Sequence, residues 1–251
     1  MNKNEKKVLE LVNIKKTMSI ADICETLQFS ESTARRTVSA LSELKLINRY
    51  HGGAQSYAAI ANQSSVQKRM DINPLLKDSI ARMAASLIRS GQTVMLTGGT
   101  TVYMMCKYLM NRRITVITNS LIVFDELKNA VHLNDLILLG GRYNKDEMEV
   151  EGALTNFNLK LLKADCIFMG TNGFDPDSGF FTDRMEALEL YRLCIEVSKE
   201  KYMLSDSSKL NGRGLAVIAT CEMVDYFVTD PGLNKGISDR FLEKGIKVIF
   251  T

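Results

Sequence analysis

SIADICETLQFSESTARRTVSALSELKLINRYHGGA, running from Ser19 to Ala54, compresses two short helices, a turn and a glycine pair into 36 residues. Ser19 followed three positions later by Asp22 is a capping-box start, and Ile20, Ile23, Cys24 and Leu27 then recur on one helical face. The triplet Gln28-Phe29-Ser30 turns the chain. Ser30 caps a further helix that carries Val38, Leu41 and Leu44 inward. Upstream, Val8, Leu11, Val12 and Ile14 give Glu5 to Ile14 the same helical period. Two helices separated by so short a turn form a helix-turn-helix, whose second member enters the DNA major groove by its N-terminal residues. The residues expected at the DNA are therefore Ser30, Ser32, Thr33, Arg35, Arg36 and Thr37. Arginine forks guanine edges or neutralises phosphate, and hydroxyls hold either. The following NRYHGGAQSY reads as a β-wing around a glycine turn, with Arg49, His51 and Gly52 against the flanking backbone.

Arginine on a helix is by default only a solvated surface group. What shifts the balance towards DNA is the company these arginines keep. The chain carries a formal charge of +3 over 251 residues; residues 1–54 hold 9 Lys and Arg against 6 Asp and Glu, and the remainder holds 23 of each. The whole excess thus sits beside the helix pair, as a polyanion-binding module requires.

Composition is ordinary for a globular protein, 45% hydrophobic and 24% charged. Without an apolar run long enough for a membrane span or a signal peptide, no membrane partner is expected. Five scattered cysteines without a C-x-x-C pair predict free, buried thiols, no metal site and a cytoplasmic location.

Residues 1–54 are read as the DNA-binding domain, 55–74 as a linker and 75–251 as a second domain. In the latter, TVMLTGGTT, ITVITNS, DLILLGGR, DCIFMGTNGF, KYMLSDSSK, DYFVTDP and IKVIF alternate with amphipathic segments. Short Val/Ile/Leu runs in that rhythm predict an α/β fold with a mostly parallel sheet buried on both faces. Ligands of such sheets bind beyond the carboxyl ends of the strands, where the polar clusters fall. Gly98, Gly99, Thr100 and Thr101 would offer backbone N–H groups at a helix N-terminus, a site for an anion. Asn119 and Ser120 repeat the arrangement, Gly141 adds a turn, and Asp206 and Lys209 supply a hydroxyl acceptor and a cation for phosphate. Any one of these clusters is equally a tight turn or helix cap; their convergence on one edge favours a binding site. Glu147, Glu149 and Glu151 are read as solvated loop carboxylates without a role.

Ser30, Thr33, Arg35, Arg36, Arg49 and His51 to Ala54 resemble the winged helix of DeoR-type bacterial transcription regulators, written V-S-x-x-T-[IV]-R-R-D-L and R-x-H-G-G-A. Ala34 and Thr37 depart from that pattern. GTT, TVITNS, LLGG, G-x-x-G-F, DSSK and VTDP follow in the order of the family's C-terminal sensor domain, with Thr97-Gly98 in place of the usual Asp-Ser. That domain is similar to the ribose-5-phosphate isomerase and glucosamine-6-phosphate deaminase folds. The resemblance implies a regulator of carbohydrate-metabolism genes, usually a repressor, that binds a double-stranded DNA operator and a phosphorylated sugar effector. Paired half-sites imply a homo-oligomer, dimer or tetramer.

The alternative is an isomerase- or deaminase-like enzyme with an accessory DNA-binding domain, Asp206 and Lys209 moving protons. Neither G-x-G-x-x-G after a strand nor a P-loop is present. His51 in the wing and His132 in a connection are poor catalytic candidates. No catalytic residue and no cofactor are therefore expected.

Overall fold

A computed structural model of the chain describes residues 1–15, 17–50, 52–56, 66–212 and 214–251. The N-terminal module opens with the helix Lys3–Lys15, whose Val8 and Val12 are buried, while Ile14 is exposed. Ser19 makes the expected reciprocal box: its Oγ accepts from Asp22 N at 3.0 Å, and Asp22 Oδ2 accepts from Ser19 N at 3.1 Å. The helix Ile20–Leu27 that it starts ends at Gln28, which takes the left-handed conformation. Ser30 Oγ then accepts from Thr33 N and starts the helix Glu31–Glu43. Ala34, Val38 and Leu41 of this helix close the module's core against Val8, Val12, Ile23, Ile47 and Ala54. Leu44 departs from the sequence reading: it caps the helix at the surface and is 57% exposed.

The wing consists of Ile47–Tyr50 paired antiparallel with Gly53–Ser56, and Thr17–Ser19 adds a third strand on the other side. Gly52 lies in the turn with φ +94°, a conformation that favours glycine. Gln55 and Ser56 belong to this sheet. The helix Val66–Met70 follows beyond the undescribed part of the expected linker, and Asn73 is buried at the start of the helix Pro74–Ser86.

The second module is built on seven strands, all parallel. Their spatial order is Lys247–Phe250, Tyr226–Thr229, Ser198–Leu204, Ala164–Gly170, Thr93–Leu96, Thr115–Thr118 and Asp135–Leu138. Alternate residues of the central strands feed two cores. Val94, Leu96, Cys166 and Phe168 pack on Ile80, Ala84, Val102 and Cys106 of the helices Pro74–Ser86 and Thr100–Leu109. Met95, Ile167, Met169 and Met203 pack on the opposite side with Phe174, Phe180, Phe227 and Phe241. Burial of both faces explains why these strands read as continuous apolar runs rather than alternating ones.

Two antiparallel additions sit on this frame. Gly173–Asp175, Gly179–Thr182 and Ala216–Ala219 form a small sheet. Arg142–Asn144 and Glu149–Glu151 form a hairpin. Because the seven strands run the same way, Gly98, Asn119, Thr171 and Asp206 all emerge at one edge, and the hairpin lies across it.

Candidate functional site

In the N-terminal module the recognition helix presents an outer face of Ser32, Arg35 and Arg36, with Thr33 half-buried. Ser30 is occupied as the N-cap, its Oγ also within 2.8 Å of Thr33 Oγ1. Arg35 is oriented by its neighbour one turn back: its Nε and Nη2 donate to Glu31 Oε1 at 2.8 and 2.6 Å. Arg36 is exposed and makes none of the salt bridges found among the described residues. Arg49 Nη1 donates to Ser39 Oγ at 2.7 Å, tying the wing strand to the recognition helix. Thr37 requires a correction. It is 6% exposed and belongs to the core side of the helix, so its hydroxyl does not share the face of Arg35 and Arg36. His51 lies outside the described residues.

In the second module a cleft opens at the carboxyl edge of the parallel sheet, lined by Gly98, Gly99, Thr100 and Thr101 together with Thr171, Arg69, Arg184 and Lys209. Gly99 has φ +111° at the N-cap of the ten-residue helix Thr100–Leu109. The first amides of an α-helix have no intrahelical acceptor, so this loop aims N–H groups and the positive helix end at the cleft. Lys209 is held in place rather than free to swing. Its Nζ donates to the Thr171 carbonyl at 2.6 Å, and the turn that carries it is fixed by Ser207, whose N and Oγ both bond Asp230.

Asp206 is 1% exposed and stands behind the cleft wall. Its Oδ1 accepts from Asn73 Nδ2 at 3.2 Å and from Ser208, and its Oδ2 has no hydrogen-bond partner among the described residues. Near it Lys77 is 2% exposed, with Nζ donating to the Arg69 carbonyl at 2.5 Å. Burial pushes the Lys77 amine down to about 7, the like charge of Lys209 adding to the effect and Asp206 opposing it. Lys209 is also lowered by burial, again with Asp206 opposing.

The remaining predicted residues are placed differently. Asn119 is buried and reaches the cleft only through Glu149, its Nδ2 lying 3.3 Å from Glu149 Oε2. Ser120 is fully buried beneath the edge. Gly141 does not line the cleft. It faces the helix Ala153–Lys160, where a Cβ would fall 1.9 Å from Thr155 Oγ1. None of these three residues read as effector contacts lines the cleft: Asn119 and Ser120 lie against the hairpin residues Glu149 and Val150, and Gly141 packs on Thr155.

The largest departure concerns the three glutamates. Far from being solvated, Glu149 and Glu151 are each 1% exposed. Arg184 meets all three: Nη1 is 2.9 Å from Glu149 Oε2 and 3.9 Å from Glu147 Oε2, and Nη2 bonds Glu151 Oε2. Arg69 pairs with Glu147, and Arg142 with Glu151 at 2.5 Å. Burial raises the Glu149 carboxyl above its usual range while Arg184 opposes the shift. On Arg184 itself burial is the largest single effect and works against the charge, but Glu149, Tyr191 and Glu147 together outweigh it and raise the guanidinium above its ordinary value. The missed residues are thus Arg69, Asn73, Lys77, Arg184 and the acidic hairpin. The alternation of Glu149 and Glu151 was the sequence signal of the hairpin, since period two puts both on one face of a strand, while Glu147 lies in the turn before it.

A winged helix-turn-helix joined to a parallel α/β domain, with a cleft at the carboxyl edge of the sheet, defines a two-module protein of the kind found among transcription regulators. The chain matches the DeoR-like helix-turn-helix domain over residues 5–59 and the DeoR C terminal sensor domain over residues 72–231. It belongs to the DeoR family of transcription regulators. It is 32% identical over 252 residues to the lactose phosphotransferase system repressor of Lactococcus lactis subsp. lactis, covering 97% of this chain and 96% of that protein. The transcriptional repressor AccR of Agrobacterium fabrum is 32% identical over 228 residues, covering 90% and 88%. GolR, an HTH-type transcriptional regulator of Listeria innocua, is 29% identical over 245 residues, covering 97% and 96%. Among solved structures, ribose 5 phosphate isomerase A from Neisseria gonorrhoeae aligns with a TM-score of 0.40 at 13% identity, over 55% of this chain and 53% of that one. The eIF2B beta structure from Chaetomium thermophilum aligns at 0.46 and 13%, over 78% and 53%.

Proposed function

We propose that this chain is a cytoplasmic repressor of carbohydrate-metabolism genes, bound to operator DNA as a homo-oligomer and released by a phosphorylated sugar. The observation that carries the reading is the meeting of the Gly98–Thr101 loop with Lys209, Arg69 and Arg184 in one cleft of a chain that also carries a recognition helix. A phosphate dianion fits helix-terminal amides and cations together. Two of the relatives given above are named as repressors, and one of those names includes the lactose phosphotransferase system.

The same cleft speaks against the enzyme alternative. Glu147 and Glu149, the carboxylates that face it, are engaged by Arg69 and Arg184. Lys209 is bonded to a carbonyl and Asp206 to Asn73 and Ser208, an arrangement for binding rather than for proton abstraction. An oligomer is supported by Leu154, Phe157 and Leu161, which are 70%, 63% and 72% exposed at helical spacing along one helix. Incubation with a panel of sugar phosphates tests the reading. Release of bound DNA without turnover supports it, and turnover of any member overturns it.

A further inference from the structure

Glu149 lies where an anion would be expected to bind. A Cβ built on Gly98 would fall 1.5 Å from Glu149 Oε1, so the carboxylate rests directly on the backbone of the cleft loop. Gly98 has no left-handed φ, and the close approach of Glu149, rather than backbone conformation, is what excludes a side chain there. The other carboxylate oxygen takes Arg184, a cation that lines the same cleft. With Glu149 in place the cleft encloses about 50 Å³, far below the roughly 300–1,000 Å³ of small-molecule pockets.

The hairpin that delivers Glu149 is attached at several points. Val150 N donates to the Asn119 carbonyl and Leu121 N to the Met148 carbonyl, each at 2.8 Å. At its tip Val66 N donates to the Asp146 carbonyl at 3.0 Å, and Arg69 pairs with Glu147. The hairpin therefore grips both the cleft and the helix Val66–Met70, which lies on the chain between the wing and the second module.

We propose that Glu149 is a built-in competitor for the effector's phosphate, and that Arg184 is a phosphate ligand which Glu149 holds until the phosphate displaces it. This rests on the reading of the cleft as a phosphorylated-sugar site. Exchange of a carboxylate for a phosphate keeps Arg184 paired while adding a second negative charge near Lys209 and the helix end. The exchange selects a phosphorylated ligand over a neutral one, because a neutral group would break the Glu149 pair and put no charge in its place, leaving the guanidinium to Glu151 and the more distant Glu147. Displacing Glu149 loosens the strand that bonds Asn119 and Leu121, and the same hairpin holds Arg69 through Glu147, so one event reaches both the cleft and the segment leading to the DNA-binding module.

The test is calorimetric titration of the full chain with inorganic phosphate, for wild type, Glu149→Gln, Arg184→Lys and Lys209→Ala. A competitor scales apparent affinity down to the intrinsic value multiplied by the fraction of molecules in which it is absent. Glu149→Gln is expected to tighten phosphate binding about tenfold or more, with Arg184→Lys and Lys209→Ala weakening it. Unchanged or weaker binding by Glu149→Gln, with Lys209→Ala still weakening it, overturns the competitor and leaves the cleft reading intact. Absence of phosphate binding in wild type and in Glu149→Gln overturns both. Hydrogen exchange on the wild-type chain needs no variant to fold: saturating phosphate should speed exchange at Val150 and Leu121, and unchanged protection overturns the proposal.

Discussion

Arg184 Nη1 donates to Glu149 Oε2 across 2.9 Å, and the carboxylate is only 1% exposed. Glu151 shares the same guanidinium and is equally buried. Removal of the cation leaves the buried Glu149 without its ion pair and Glu151 with Arg142 alone, a loss of about 3–5 kcal/mol in comparable buried pairs. Arg184→Ala is expected to destabilise the second module by that amount in urea unfolding. A loss below about 1 kcal/mol would mean that the cluster relaxes into water.

On the recognition helix, Arg35 is already committed to Glu31, whereas Arg36 makes no such pair among the described residues. Both partners of the Arg35–Glu31 bridge are largely exposed, so the bridge contributes little to stability. Its consequence is for DNA. Glu31→Gln should strengthen non-specific duplex binding and steepen its salt dependence, as one more cation becomes available to phosphate. Arg36→Ala should weaken binding by about 1–3 kcal/mol if it reads a base. Fluorescence anisotropy at several salt concentrations measures both, and an affinity unchanged in Arg35→Ala, Arg36→Ala and the double variant would remove this helix from the interface.

Assembly can be addressed through the exposed face of the helix Ala153–Lys160. Replacing Phe157 and Leu161 by Glu places two like charges on each side of any symmetric contact made there. Sedimentation of the wild type at micromolar concentration should show a dimer or tetramer and the double variant a monomer. Wild-type monomer with full operator affinity would contradict the oligomeric reading.

Lys77 makes stability depend on pH in a definite direction. Its amine titrates near about 7 in the folded chain against 10.5 in its absence. Above the folded value the native chain has released a proton that the unfolded chain still holds, so this group's contribution to stability rises with pH up to the unfolded value. Below about pH 7 the full cost of burying the charge is present. Lys77→Met removes that cost, and its stability relative to wild type should be greatest near pH 6 and decline by pH 9. A difference that does not change with pH would show that Lys77 is not the titrating group.

Much of this was legible in the sequence, for local reasons. Ser19 with Asp22, Ser30 and the glycine turn at Gly52 are fixed by neighbours within four residues, so caps, turn and wing follow from spacing alone. The seven parallel strands were legible as apolar runs because both faces are buried. Thr37 misled because its position in the arginine motif says nothing about which helical face it occupies. Arg184 and Lys77 were silent for a different reason. Each responds to charges 33 or more residues away in sequence, Glu151 and Glu149 for Arg184, Asp206 and Lys209 for Lys77, although Lys77 also bonds the nearby Arg69 carbonyl. The glutamates were misread because a run of charge is usually solvated, and only the fold brings Arg184 and Arg69 against it.

The central claim is that a sugar phosphate in the Gly98–Thr101 cleft sets the affinity of the N-terminal module for DNA. A ligand can do this only through differential affinity for two arrangements of the protein. The direct measurement is operator affinity across a titration with the sugar phosphate that gives the largest thermal shift of wild type, repeated with Lys209→Ala and Thr100→Val. Wild type should release DNA, and the Lys209→Ala response should lose about 1–3 kcal/mol, the range of a charge-assisted bond, with binding of effector-free protein retained. If both variants respond at the wild-type concentration, the effector binds elsewhere and the cleft is not the sensor.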